Sequence, residues 1–196
     1  MPAREKTAVK GAWIQGPGAH FLKAVQAGLG DLPLIAEDLG EITPDVVELR
    51  DQFRLPGMKI LQFAFDDGME HEFLPHNYPE NCVAYTGTHD NDTIIGWYQT
   101  APEEETAFCR EYIKTDGLHI AWDMIRALWA SRASLTVAPM QDFLELGTAA
   151  RMNYPSIAEG NWDWRLPPDA LSAELARRIA AVNEAARRSI ADRGSN

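Results

Sequence analysis

Two acid-bearing stretches of this chain could do chemistry together: Ala36-Glu37-Asp38-Leu39-Gly40 and Thr88-His89-Asp90-Asn91-Asp92-Thr93. Each follows a short apolar run that ends abruptly, Leu34-Ile35-Ala36 before Glu37 and Val83-Ala84-Tyr85-Thr86 before His89 and Asp90. Carboxylates at the carboxyl ends of successive buried strands are how a (β/α) barrel assembles an active site. Two such groups converging on one cleft can divide the work of glycoside chemistry. One acts as general acid/base and the other stabilises the charge that develops on the sugar. Glu37 and Asp90 are therefore the candidate catalytic pair, acting on a carbohydrate.

The elements that must hold these acids alternate between strand and helix. Leu34–Ala36 reads as a strand, and Thr43-Pro44 opens a helix with an N-cap residue followed by proline at the first helical position. That helix carries Val46, Val47 and Leu49 and is stopped by Leu55-Pro56-Gly57. Met58–Phe65 is apolar except at Lys59 and Gln62, as a strand buried on both faces requires. A long polar loop, Asp66–Asn81, precedes the strand Val83–Thr86. Helices are expected over Pro102–Lys114 and Leu118–Ala133, the second with Ile120, Met124, Leu128 and Trp129 on one stripe. A fourth strand, Leu135–Ala138, is followed by a last helix over Ser172–Ala191 that aligns Leu175, Ile179, Val182, Ala186 and Ile190. Ahead of all this, a short amphipathic segment, His20–Ala27, offers Phe21, Leu22 and Val25 to a core. Strands alternating with helices make the fold class α/β.

Composition narrows the function. With 196 residues, 45% of them hydrophobic and 24% charged, the chain has the make-up of a globular domain. A formal net charge of −11 argues against nucleic acid or an anionic membrane as partner and is compatible with a neutral glucan. Cys82 and Cys109 have no metal-ligand spacing around them and read as small apolar residues in a reducing compartment. The first residues are polar with no apolar run behind them, so no secretory leader is expected and the cytoplasm is the expected location. No metal and no cofactor is implied. The loop Asp66–His76 holds acids and two histidines, but its spacing fits no standard metal site and reads as a solvated loop.

The motifs in order resemble the amylomaltases, or disproportionating enzymes, a family of 4-alpha-glucanotransferases. The resemblance rests on Glu5-Lys6-Thr7-Ala8-Val9, Gly16-Pro17-Gly18, Ile35-Ala36-Glu37-Asp38-Leu39-Gly40 and Leu55-Pro56-Gly57-Met58-Lys59. It continues through Leu61-Gln62-Phe63-Ala64-Phe65, Leu74-Pro75-His76-Asn77-Tyr78, Tyr85–Thr93, Arg151-Met152-Asn153 and Gly160–Arg165. It implies a retaining transfer of α-1,4-glucan segments between maltooligosaccharides or starch chains. By the same resemblance Glu37 is the general acid/base, and Asp90 the aspartate that holds sugar hydroxyls and stabilises the transition state. His89 is a substrate-binding residue, and Asn153 belongs to a substrate-binding loop on the acceptor side.

The family's nucleophile is an aspartate in an Arg-x-Asp-His-Phe-Arg-like motif, and this sequence does not contain that motif. The expectation is therefore the C-terminal half of a (β/α)8 TIM-type barrel, with about four strands. It would form one partial domain over 1–196, in which 1–31 is a loop and helix segment and 32–196 the half-barrel. Such a chain is expected to be inactive alone and to require the missing N-terminal half as partner, besides an α-glucan substrate. Ser156 is a smaller departure, standing where the family has glycine.

Each residue also has a plainer reading. Glu37 and Asp38 could simply cap a turn, and Asp38 is expected to be structural, fixing its loop through backbone hydrogen bonds. Asp92 and Thr93 read as a helix N-cap. Trp122 and Trp129 sit at helical spacing in a core, Trp97 is open, and Trp162 and Trp164 read as packing, with Arg165 bracing an acid. Two further functions stay in view: a non-catalytic α-glucan-binding fragment, and a small glycosidase that has rebuilt its site from Glu37 and Asp90.

Overall fold

The computed structural model describes residues 4–188. The end of the last expected helix, with Ile190, lies outside them. The chain divides into two compact units between Pro56 and Gly57.

The first unit holds a 3-10 turn at Ala8–Lys10 and two helices, α1 over Ala19–Leu29 and α2 over Pro44–Gln52. Helix α2 begins as expected, with Thr43 extended at the N-cap and Pro44 inside the first turn. The Thr43 side chain, with nearby backbone amides, holds the Asp45 carboxyl below its usual range. Two expectations are corrected here. Helix α1 buries none of its residues, and Phe21 is exposed. Leu34–Ala36 is not a strand, because its amides make isolated bonds that build no ladder. Leu34 N donates to Leu32 O at 2.9 Å, Asp38 N to Ala36 O at 3.1 Å, and Ala36 N to Pro56 O at 2.9 Å. Trp13 (103% exposed), Val9 and Ile14 likewise stand in solvent.

The second unit is mixed α/β around a three-stranded parallel sheet: β1 (Gly57–Ile60), β2 (Cys82–Tyr85) and β3 (Leu135–Val137), in that spatial order. Met58 pairs with Val83, and Val83 with Leu135. Among the described residues the sheet has three of the four expected strands. Strand β1 is shorter than its apolar run because the chain turns at Leu61–Phe63 into a 3-10 helix. That turn lets buried Gln62 satisfy both ends of its polar surface, its amide N on Thr86 O at 3.3 Å and its Nε2 on Asp92 O at 2.9 Å.

Helices α3 (Ile94–Thr100), α4 (Glu103–Ile113), α5 (Ile120–Trp129), α6 (Met140–Phe143) and α7 (Ala173–Ala185) complete the unit. Glu103, Glu104 and Glu105 favour the positive end of α4, and Lys114 closes it in the left-handed conformation. Helix α5 is the central buttress, burying Ile120, Trp122, Met124, Ile125, Leu128 and Trp129. Each such large side chain stabilises the fold by about 1.5–3 kcal/mol. Trp122 and Trp129 are thus core, as their spacing indicates, and Trp97 packs on Phe65 with centroids 5.5 Å apart. Cys82 and Cys109 are buried thiols, and burial pushes Cys109 up to about 12.

Candidate active site

Strand β2 leaves the core at Thr86, whose amide still donates to Val137 O of β3 at 3.2 Å. Gly87 follows because a side chain there would collide with Gln62 Nε2. The next four residues fold back on themselves. The Asn91 carboxamide oxygen accepts from Thr88 N at 2.9 Å and from Thr88 Oγ1 at 3.0 Å, and Asp90 N donates to Thr88 Oγ1 at 3.2 Å. This turn holds His89 and Asp90 outward, each about half exposed. Thr93 then caps α3, its Oγ1 accepting from Gly96 N at 3.1 Å, as its type predicted.

Asp92 is fully engaged beneath the turn: Oδ1 accepts from Thr93 N at 2.7 Å and Oδ2 from Thr148 Oγ1 at 2.8 Å. Gly96 is needed here, since a Cβ at that position would overlap both the Asp92 carboxylate and Thr148. Deeper still lies Asp142, only 1% exposed. Burial pushes its carboxyl up to about 6, against the hydrogen bonds from Ile94 N and Thr86 that hold it down; the Asp92 charge adds to the rise. Asp142 carried no signal in the sequence beyond its place after a strand.

Asp90 meets a second segment, 151–153. Asn153 Nδ2 donates to Asp90 Oδ1 at 2.6 Å, and His89 Nε2 lies 3.3 Å from the same oxygen. Asn153 N donates to His89 O at 3.1 Å, and Arg151 Nη2 to Asp90 O at 2.6 Å. Three of the sequence-derived candidates, His89, Asp90 and Asn153, therefore form one cluster. Beside it opens a cleft of about 240 Å³ lined by residues that include His89, Asn91, Gln141, Arg151 and Trp162. Trp162 departs from its expected packing role. It is 53% exposed, lies against His89 with centroids 5.0 Å apart, and has a φ of 64°, strained for a bulky side chain. Arg165 does not brace an acid; it donates to the carbonyls of Trp162 at 2.7 Å and Trp164 at 2.9 Å.

Glu37 lies in the first unit and is exposed, on the segment between α1 and α2. Its neighbour Asp38 is structural, through a side chain: Arg50 Nη1 of α2 donates to Asp38 Oδ2 at 2.5 Å, with the carboxylate 6% exposed. The histidines of the 66–76 loop also have structural partners. His71 lies 3.2 Å from Asp66, and His76 Nδ1 is 2.9 Å from the Tyr112 hydroxyl. Among the described residues no group of three potential ligands could hold a metal ion, and no helix is long and apolar enough to cross a membrane.

Residues 1–172 match the family model described as 4-alpha-glucanotransferase. The chain belongs to that family. The 4-alpha-glucanotransferase of Thermus thermophilus is 50% identical over 196 residues, covering 96% of this chain and 39% of the relative. A chloroplastic/amyloplastic 4-alpha-glucanotransferase of Arabidopsis thaliana is 48% identical over 168 residues, covering 85% of this chain and 29% of that protein. Among solved structures, an amylomaltase from Streptococcus agalactiae in complex with acarbose superposes with a TM-score of 0.90 at 34% identity, over 95% of this chain and 38% of its own. The chain thus spans well under half the length of these 4-alpha-glucanotransferases.

Proposed function

We propose that this chain supplies the acid/base and charge-stabilising part of a retaining 4-alpha-glucanotransferase site. The observation that carries the reading is the intact Asp90 cluster at the end of β2 in a chain that matches the family model over residues 1–172. The substrate is an α-1,4-glucan. The S. agalactiae relative is described with acarbose bound.

In this reading Glu37 protonates the departing glycosidic oxygen as the C1–O bond breaks, then takes the proton from the acceptor's 4-hydroxyl. Asp90 holds sugar hydroxyls and its negative charge steadies the oxocarbenium-like transition state. His89, packed at a tilt against Trp162, contacts the sugar from the side. The nucleophilic aspartate comes from residues outside these 196, which complete a (β/α)8 barrel of which this chain is the C-terminal half. The exposed Trp13, Val9, Ile14 and Phe21 of the first unit support that reading, since apolar surface of this kind gains from being covered. The reaction needs no cofactor and takes place in the cytoplasm, where Cys82 and Cys109 stay reduced.

Incubation with maltotriose tests this. The chain alone is expected to leave maltotriose unchanged. Co-folded with the part of the T. thermophilus relative that it does not match, it should convert two maltotrioses into glucose and maltopentaose. Glu37→Gln should then lower transfer by about a hundredfold or more. If the co-folded protein binds maltoheptaose but transfers nothing, the chain is a glucan-binding fragment and the catalytic reading is wrong.

A further inference from the structure

The contacts around Asp90 assign a role to a residue outside the candidate set. Arg151 uses its planar fork on two backbone carbonyls from distant parts of the chain. Nη2 donates to Asp90 O at 2.6 Å, and Nε donates to Asn153 O at 2.9 Å. The guanidinium also lies over the Tyr154 ring, 4.3 Å from its centroid. One flat, permanently charged group thereby ties the Asp90 turn to the 153 segment; an ammonium, a point charge without a fork, cannot hold both carbonyls in fixed geometry.

The consequence is felt at the carboxylate. Asn153 Nδ2 reaches Asp90 Oδ1 at 2.6 Å only while its own backbone is held in register, by Arg151 on its carbonyl and by His89 O accepting its amide at 3.1 Å. The far side of the segment is fixed as well, since Asn161 Oδ1 accepts from Tyr154 N at 2.8 Å and Trp162 N donates to Met152 O at 2.8 Å. Asn153 thus commits one of its two Nδ2 hydrogens to Asp90, which ties the orientation of the carboxylate to the register of this segment before any substrate arrives. A preorganised carboxylate loses less freedom when charge develops beside it.

We propose that Arg151 is a positioning residue for Asp90, acting through Asn153. The proposal rests on the reading that Asp90 works on a sugar, but its test does not use sugar. The side-chain amide of Asn153 is observed by nuclear magnetic resonance in the isotopically labelled 196-residue chain. In the wild type it is expected to be a resolved pair, displaced from free asparagine and protected from exchange. Asp90→Ala should abolish the displacement, which identifies the partner. Arg151→Lys and Arg151→Ala should each shift the pair toward the free position and speed its exchange by at least about tenfold, equivalent to about 1.4 kcal/mol. The rest of the spectrum should stay dispersed. An Asn153 pair unchanged in both Arg151 variants overturns the proposal. Loss of dispersion across the whole spectrum in both variants also overturns it, because Arg151 would then serve folding at large. Absence of glucan transfer moves none of these resonances, so failure of the catalytic reading is told apart from failure of this one.

Discussion

Asp142 accepts the hydroxyl of Thr86 at 2.6 Å, joining two residues 56 positions apart in a place closed to water. The other oxygen of the same carboxylate accepts Ile94 N at 2.8 Å, at the amino end of α3. Asp142 thereby clamps the end of β2 to the start of α3, the two points between which the Asp90 turn is strung.

This clamp makes stability depend on pH in an unusual sense. The Asp142 carboxyl is raised from 3.8 to about 6 in the fold, so the folded chain keeps a proton that the unfolded chain has already released. Stability from this group is full below the lower value, falls as pH climbs through the window between them, and is level above the upper one. The fall amounts to about 3 kcal/mol. Unfolding of wild type and of Asp142→Asn, followed in parallel from about pH 4 to about pH 7, should show the wild type losing that much relative to the variant. Parallel curves would mean the clamp does not titrate.

Ser156 has a φ of 66°, the left-handed region, at the position where the resemblance has glycine. A side chain there costs about 1–2 kcal/mol, while glycine loses about 0.4–1 kcal/mol more entropy on folding. The two nearly cancel, with strain ahead. Ser156→Gly should therefore raise the free energy of unfolding by about 1 kcal/mol or less. Ser156→Val should lower it, since a branched side chain fits that region worse. Urea titrations in which Ser156→Gly loses more than Ser156→Val would contradict the strain.

Arg188 donates to three carbonyls around the carboxyl end of α5: Trp129 O at 2.6 Å, Ser131 O at 2.6 Å and Ala133 O at 2.8 Å. A cation at that end also meets the negative pole of the helix. Charge-assisted bonds of this kind contribute more than neutral ones, so Arg188→Ala should cost about 2–3 kcal/mol by chemical denaturation. Arg188→Lys should recover less than half of that, because it cannot span three acceptors. An Arg188→Lys variant as stable as the wild type would show that charge alone matters.

The sequence by itself determined the local elements and the identity of the cluster. Thr43-Pro44, Thr93 and Ser172 announce helix starts because capping depends on residues only a few positions away. The apolar stripe of α5 was legible as helical periodicity, and the abrupt change from Val83–Thr86 to His89-Asp90 marked the end of a strand. Tertiary structure decided what such short-range signals do not contain. Leu34–Ala36 has strand-like composition, yet a strand exists only where a neighbour completes its ladder, and here its amides make only isolated bonds. Trp162 reads as packing until its backbone conformation turns it onto His89 at the cleft. Arg151 was visible only as part of a motif; its bond to Asp90 spans 61 residues, and no periodicity reports a contact made by the fold. Asp142 looked like any acid after a strand, and only burial, which raises the cost of its charge, sets it apart.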